Sequence, residues 1–174
     1  MSLAPSAVEG LAPEALPVDP FHFRKVIGSF ATGVAVVTTV WQGRYHGMTV
    51  NSLTSVSLDP CMLLVCPKRG SSTGQAIQNR GEFAVNILAD HQRELSKRFV
   101  GNLPDRFADL DLSFSDGGLP LLPGSLAHIA CRVAAVHAGG DHDIILGEVV
   151  SCSDADGEPL VFHKGAFGSL RRSD

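Results

Sequence analysis

The chain has no surplus of positive charge: 14 Lys and Arg stand against 18 Asp and Glu, giving a net charge of −4 and a pI near 5.9. A nucleic-acid binder needs a basic face to neutralise phosphates, so this balance argues against DNA or RNA as a partner. No apolar run approaches the ~20 residues needed to cross a bilayer, and the first residues lack the basic start and long apolar region of a secretion signal. No membrane association is therefore expected. The four cysteines, Cys61, Cys66, Cys131 and Cys152, are scattered with no C-x-x-C pair, and they read as small buried hydrophobes in a reducing cytoplasm. The seven histidines show neither H-x-x-x-H nor H-E-x-x-H, so no metal site is expected. Also missing are a G-x-G-x-x-G after a strand, the P-loop spacing and a G-x-S-x-G elbow. Connectors of helix length between strands are scarce, which argues against a parallel, doubly wound sheet.

What is present reads as one domain. At 174 residues, with 44% hydrophobic and 18% charged residues, the chain can bury a sizeable core unaided. Residues 1–18, rich in Ala and Pro, are expected to be a flexible arm, suited to docking on a second subunit, ahead of a domain over residues 19–174. Asp19-Pro20 supplies an N-cap and a first-turn proline. Phe23, Val26, Ile27 and Phe30 follow at helical spacing, predicting a core-facing helix that ends at Gly33. From there strands dominate. Val34–Val40 and Tyr45–Val50 flank a Gln42-Gly43 turn, Ser55–Leu58 is short, and Met62–Cys66 reads as a strand buried on both faces. Phe83–Leu88 is another strand, and Asp90 is expected to cap a helix reaching about Val100, with Leu95 and Phe99 on one face. Residues 102–112 read as an irregular connection with a short helix, placed where a lid or plain surface packing would suit. Ser125–His137 and His142–Cys152 form a hairpin with a bulge at Gly147; Leu160–His163 is a last strand before a loop-like end. Seven to nine strands with two or three short helices predict a mainly β, antiparallel barrel.

Three places carry candidate chemistry. The stretch GMTVNSLTSVSLD, residues 47–59, holds Thr49, Asn51, Ser52, Thr54 and Ser55 with almost no charge. It suits a wall offering small donors and backbone N–H groups to a polar-edged planar ligand, and equally a strand and turn whose hydroxyls satisfy the local backbone. In PKRGSSTGQAIQNRG, residues 67–81, Ser72 with Gln75 makes a capping box and Gly81 suits a left-handed C-cap. Lys68, Arg69, Ser71, Ser72 and Thr73 thus meet free helix N–H groups, a place for a phosphate or simply a capped surface helix. His142 starts a strand beside Gly139-Gly140, facing a mouth or capping a turn.

Five ordered blocks, FRKVIGSFATGVAVVTT, GMTVNSLTSVSLDP, CPKRGSSTGQAI, GEFAVNIL and GGDHDIILGEV, resemble the flavin reductase family over residues 20–170. The family comprises the NAD(P)H:flavin oxidoreductase components of two-component monooxygenases. The resemblance implies a split β-barrel of the FMN-binding Greek-key type and a homodimer with flavin in a groove near the subunit interface. FMN or FAD would be the flavin, NADH or NADPH the hydride donor, and a separate oxygenase the recipient of reduced flavin. By motif position, flavin contacts would fall on His46, Gly47, Met48, Thr49, Asn51 and Ser52, then Cys66, Pro67 and Lys68. Ser72 and Thr73 would lie at the phosphate, with Arg98 and Phe99 near the outer part of the ligand. His142 would lie near the nicotinamide, as orienting or tuning group, with Phe162, His163, Lys164 and Gly165 beside the pyridine nucleotide. Cys61 stands where the family often has a second proline and Phe167 where it often has tyrosine, so no phenol is available at that position. Two other functions fit the same barrel: a flavoenzyme that retains FMN and acts on its own substrate, and a flavin- or haem-binding module without turnover.

Overall fold

The computed structural model describes residues 17–101 and 103–170. The expected arm therefore lies outside the described residues except for Pro17 and Val18. In chain order come helix α1 (Pro20–Ile27) and strands β1 (Thr32–Gly33), β2 (Ala35–Trp41), β3 (Arg44–Val50), β4 (Thr54–Leu58) and β5 (Cys61–Val65). Helix α2 (Ser72–Arg80) and β6 (Glu82–Ile87) follow, then a 3₁₀ turn at Asp90–Gln92 that runs into α3 (Arg93–Arg98). The chain continues with β7 (Ser113–Phe114), β8 (Pro120–Leu121), β9 (Ala127–Gly139), β10 (His142–Asp154), β11 (Val161–His163) and β12 (Ala166–Gly168).

Seven strands form one sheet in the order β3-β2-β6-β9-β10-β5-β4, and every pairing in it is antiparallel. Its two edges, β3 and β4, are joined through residues 51–53 alone. A linker that short spans at most roughly 14 Å, so the edges of a seven-stranded sheet must curl almost into contact. They remain unpaired, and the result is a split barrel with residues 51–53 on its seam. The β-branched run explains the position of β2: Val37 points into the barrel with Val65, Phe83, Val85 and Ile145, and Val36 points out against Leu88, Phe99, Leu122 and Leu160. Ile77 of α2 belongs to the inner cluster, which fixes that helix against the barrel. Among the described residues the buried hydroxyls of Thr32 and Ser125 lack a partner, while the largest fully buried polar side chain, Asn86, is matched. The Asn86 side-chain amide donates to Val36 O at 2.9 Å and accepts from Leu122 N at 2.8 Å, tying β6 to β2 and to the chain after β8.

Several expectations change. Asp19 caps α1 as expected, accepting from Phe21 N and His22 N, but none of the helix's residues is buried. Phe23, Val26, Ile27 and Phe30 are more than half exposed, and the helix ends at Gly28, five residues before Gly33. Periodicity correctly gave a helix with an apolar face; the core it was to face belongs to the strands. In β5 burial alternates, with Leu63 and Val65 inside, because one face of that strand is only partly covered. The 3₁₀ turn replaces the first turn of the helix expected at Asp90, and residues 103–112 form turns with no helix. The chain end contributes β12, paired with β11, where a loop was expected. The bulge at Gly147 is present as a register shift between Leu146 and Gly147.

Candidate functional site

Helix α2 starts beside the seam. Its N-cap is Ser71, whose side chain accepts from Gly74 N at 3.3 Å. The expected box of Ser72 with Gln75 does not form. The cap falls one residue earlier, on Ser71, which has the extended backbone a cap requires and whose carbonyl takes Gln75 N. This leaves Gly74, without a side chain, at the box position. Ser72 and Thr73 therefore occupy the first turn, where N–H groups have no partner within the helix. Thr73 is only 3% exposed, and its hydroxyl, which bonds no described residue, is not among the fully buried unpartnered hydroxyls, those of Thr32 and Ser125. Both residues line two adjoining cavities. One, of about 240 Å³, includes Met48, Thr49, Phe99 and Arg106; the other, of about 490 Å³, includes Arg44, Tyr45, His46 and Phe107.

Strand β3 forms the facing wall. The Thr49 hydroxyl donates to Ser96 O at 2.6 Å and its N–H to Phe99 O at 3.1 Å, so neither donor is available to a ligand. The N–H groups of Asn51 and Ser52 are left as the donors of this stretch. Gly47 is glycine for contact: a Cβ there would lie 2.8 Å from the Phe99 ring and 2.9 Å from Phe107. Met48 packs against the inner core. At the seam, Ser52 Oγ accepts from Cys66 N at 3.2 Å and lies 3.4 Å from Cys66 O, which joins β3's end to β5's end. Burial pushes the Cys66 thiol pKa up, so it stays protonated. Pro67 O accepts from Asp143 N at 3.0 Å and Lys68 bridges to His142 through the backbone. His142 is thereby set beside Lys68. Its Nδ1 pairs with Asp141 Oδ1 at 2.8 Å, which holds the Asp141 carboxyl below its usual range.

Other expected residues lie elsewhere. Arg98 donates to the carbonyls of Asp105 and Ala108, pinning the 103–112 connection, and lines neither cavity. The Phe99 side chain is 1% exposed, in T-shaped contact with Phe107, so it supports the wall rather than projecting from it. Asn51 lines a separate cavity of about 300 Å³ with Phe30, Thr32 and Leu53. Phe162 packs against Phe167, over whose ring the Arg93 guanidinium sits at 5.1 Å, and His163 is exposed. Lys164 donates its N–H to Gly28 O at 2.8 Å, and with Gly165 it faces α1 across a groove of about 610 Å³. Within one chain, residues 162–165 thus share no cavity with Ser72 and Thr73.

The sequence reading missed Arg44, Tyr45, Leu103, Asp105, Arg106 and Phe107, all lining the larger cavity. Arg106 donates to Gly47 O at 2.7 Å and to Gly101 O, which fixes its charge against β3. These residues lie on an edge strand and an aperiodic connection, so no spacing marked them. His46 is part buried between Arg44 and Arg106; burial first, then those two charges, lower its pKa from the usual 6.5. No helix among the described residues is long and apolar enough to cross a membrane, and no group of metal-ligating side chains occurs among them.

A split antiparallel barrel with a polar seam, a helix start suited to phosphate and a cavity beyond it defines a class of small ligand-binding barrels. Residues 27–171 match the flavin reductase like domain, and the chain belongs to that family. It is 47% identical to the FMN reductase (NADH) SmoA of Agrobacterium fabrum, over 86% of this chain and 86% of that protein. It is 42% identical to the flavin-dependent monooxygenase reductase subunit HsaB of Mycobacterium tuberculosis, over 88% of this chain and 83% of that protein. Among solved structures, the NADH:FAD oxidoreductase SgcE6 of Streptomyces globisporus superposes with a TM-score of 0.84 at 35% identity, covering 92% of this chain and all of that one.

Proposed function

We propose that this protein is the reductase component of a two-component monooxygenase, passing hydride from NADH to a flavin that then leaves for a separate oxygenase. The observation that carries the reading is the start of α2. The first-turn N–H groups of Ser72 and Thr73, with the Thr73 hydroxyl, adjoin a cavity lined on β3 by Met48 and Thr49, close to the strand's end at the seam. That donor set fits a flavin phosphate: oriented N–H groups with a hydroxyl beside them favour an anion without a bound metal. The flavin, when bound, supplies the hydride-accepting ring chemistry. Ser72 and Thr73 hold its phosphate, and β3 sets the distance from there to the seam. The N–H groups of Asn51 and Ser52 then meet the polar ring edge as fixed dipoles, already oriented by the Ser52–Cys66 bonds. His142, held by Asp141 beside Lys68, orients the nicotinamide and needs no proton transfer of its own. NADH is preferred over NADPH in this reading because two of the relatives carry NADH in their names.

A homodimer belongs to the same proposal. The exposed apolar face of α1 and the separation of residues 162–165 from Thr73 within one chain are both accounted for if a second copy completes the groove. The test is NADH and NADPH oxidation by the purified protein with FMN, FAD or no flavin added. Turnover with NADH that saturates in free flavin supports the reading. NADH oxidation that is indifferent to added flavin would assign the chain instead to flavoenzymes that retain their cofactor.

A further inference from the structure

We infer that the 490 Å³ cavity beyond the α2 start is an adenylate subsite, so that the enzyme takes FAD in preference to FMN. The inference rests on the flavin reductase reading and adds to it the identity of the flavin. Continuity is the first argument. Ser72, Thr73 and Arg106 line both cavities, so the larger one begins where the phosphate of a flavin lying along β3 ends. The strand gives the length: Tyr45 and Arg44 are four and five residues from Thr49, or roughly 13–17 Å at a strand's rise, on the side away from the seam. FMN stops at the first phosphate and would leave this space to water. FAD continues with a second phosphate, a ribose and an adenine.

Chemistry is the second argument. The cavity's volume lies within the range of small-molecule sites. Arg106, anchored to β3 through Gly47 O, presents a fixed guanidinium at the near end, and Arg44 adds a second cation, in a protein whose net charge is −4. Guanidinium groups suit a diphosphate. Farther in, the Tyr45 and Phe107 rings lie 5.5 Å apart, centroid to centroid, and offer apolar faces to a purine. The Asp105 carboxylate is the only acid among the lining residues and is an acceptor for ribose hydroxyls. A cavity for FMN alone has no use for this set.

The adenylate could also be that of the pyridine nucleotide, and the experiment separates the two. Dissociation constants for FMN and FAD are measured on the whole protein by quenching of flavin fluorescence, with Arg44→Glu and Tyr45→Ser alongside. FAD is expected to bind the unaltered protein at least about tenfold more tightly than FMN, and each variant to shrink that ratio about tenfold. FMN binding in the same samples reports whether each variant is folded. Equal affinities for FMN and FAD in the unaltered protein would overturn the subsite and leave the reductase reading standing. Failure to bind either flavin would overturn both. A variant that raises the KM for NADH with FMN as acceptor, without changing the flavin ratio, would place the nicotinamide nucleotide's adenylate there and overturn the assignment to FAD.

Discussion

Replacing Gly47 with alanine should damage fold and site together. The added Cβ would stand 2.8 Å from Phe99 Cε1 and 2.9 Å from Phe107 Cζ, closer than carbon atoms pack. Phe99 is 1% exposed and wedged in the outer core, so it cannot retreat. Phe107 sits on the 103–112 connection and is the ring that must move. Overfilling of this kind costs ~1–3 kcal/mol. With a urea slope of ~1–3 kcal/mol/M, the unfolding midpoint should fall by roughly 1 M. Displacing Phe107 also drags Arg106, whose bond to Gly47 O spans 2.7 Å, out of the wall shared by both cavities. Flavin affinity should therefore drop about tenfold, the equivalent of ~1.4 kcal/mol. Urea titration followed by circular dichroism and a flavin-binding titration check both effects. A midpoint and an affinity both unchanged would refute the packing argument, because nothing else about this substitution is disruptive in a strand.

Thr73→Val removes a hydroxyl that bonds nothing in the protein, so the urea midpoint should hold while the FMN dissociation constant rises about tenfold. An unchanged constant would remove Thr73 from the phosphate site. Asn86→Leu strands Val36 O and Leu122 N–H in the core and should cost roughly 2–4 kcal/mol by urea unfolding; a smaller loss would mean that water replaces the amide. His46 has a lowered pKa when folded, so below its usual 6.5 the unfolded chain binds a proton that the folded chain refuses. Its contribution is thus stable above that pH and lost as pH falls through it. Urea midpoints measured against pH should fall less steeply on the acid side in His46→Asn, and a steeper fall would reverse the sign of the argument.

The parts of the fold legible in sequence were those set by local chemistry. Asp19 before Pro20, Gln42-Gly43 between two β-branched runs and Gly81 after α2 each dictate a cap or turn within a few residues, and each stands where expected. Ser71 and Ser72 are both capable caps one residue apart, and backbone conformation alone decided between them. The direction of α1 was not legible: periodicity reports that a face is apolar, but what covers it is a tertiary fact. The same limit explains the site. Ser52, residues 66–68 and His142 come together because β3 and β5 end at one seam and β10 begins beside it, a pairing of distant segments that no local spacing reports. Arg106 and Phe107 could not be found by spacing either, since they sit on an aperiodic connection that reaches β3 only through folding. Thr49 shows the converse: a hydroxyl of the right type in the right stretch, already bound to Ser96 O.

The most direct test of the account is anaerobic reduction of free flavin, supplied in molar excess over the protein and mixed with excess NADH, followed by loss of the flavin's visible absorbance. If the flavin is a diffusible substrate bound through Ser72 and Thr73, the whole excess should be bleached by a catalytic amount of protein. Bleaching that stops at one flavin per chain, or does not begin, would contradict it.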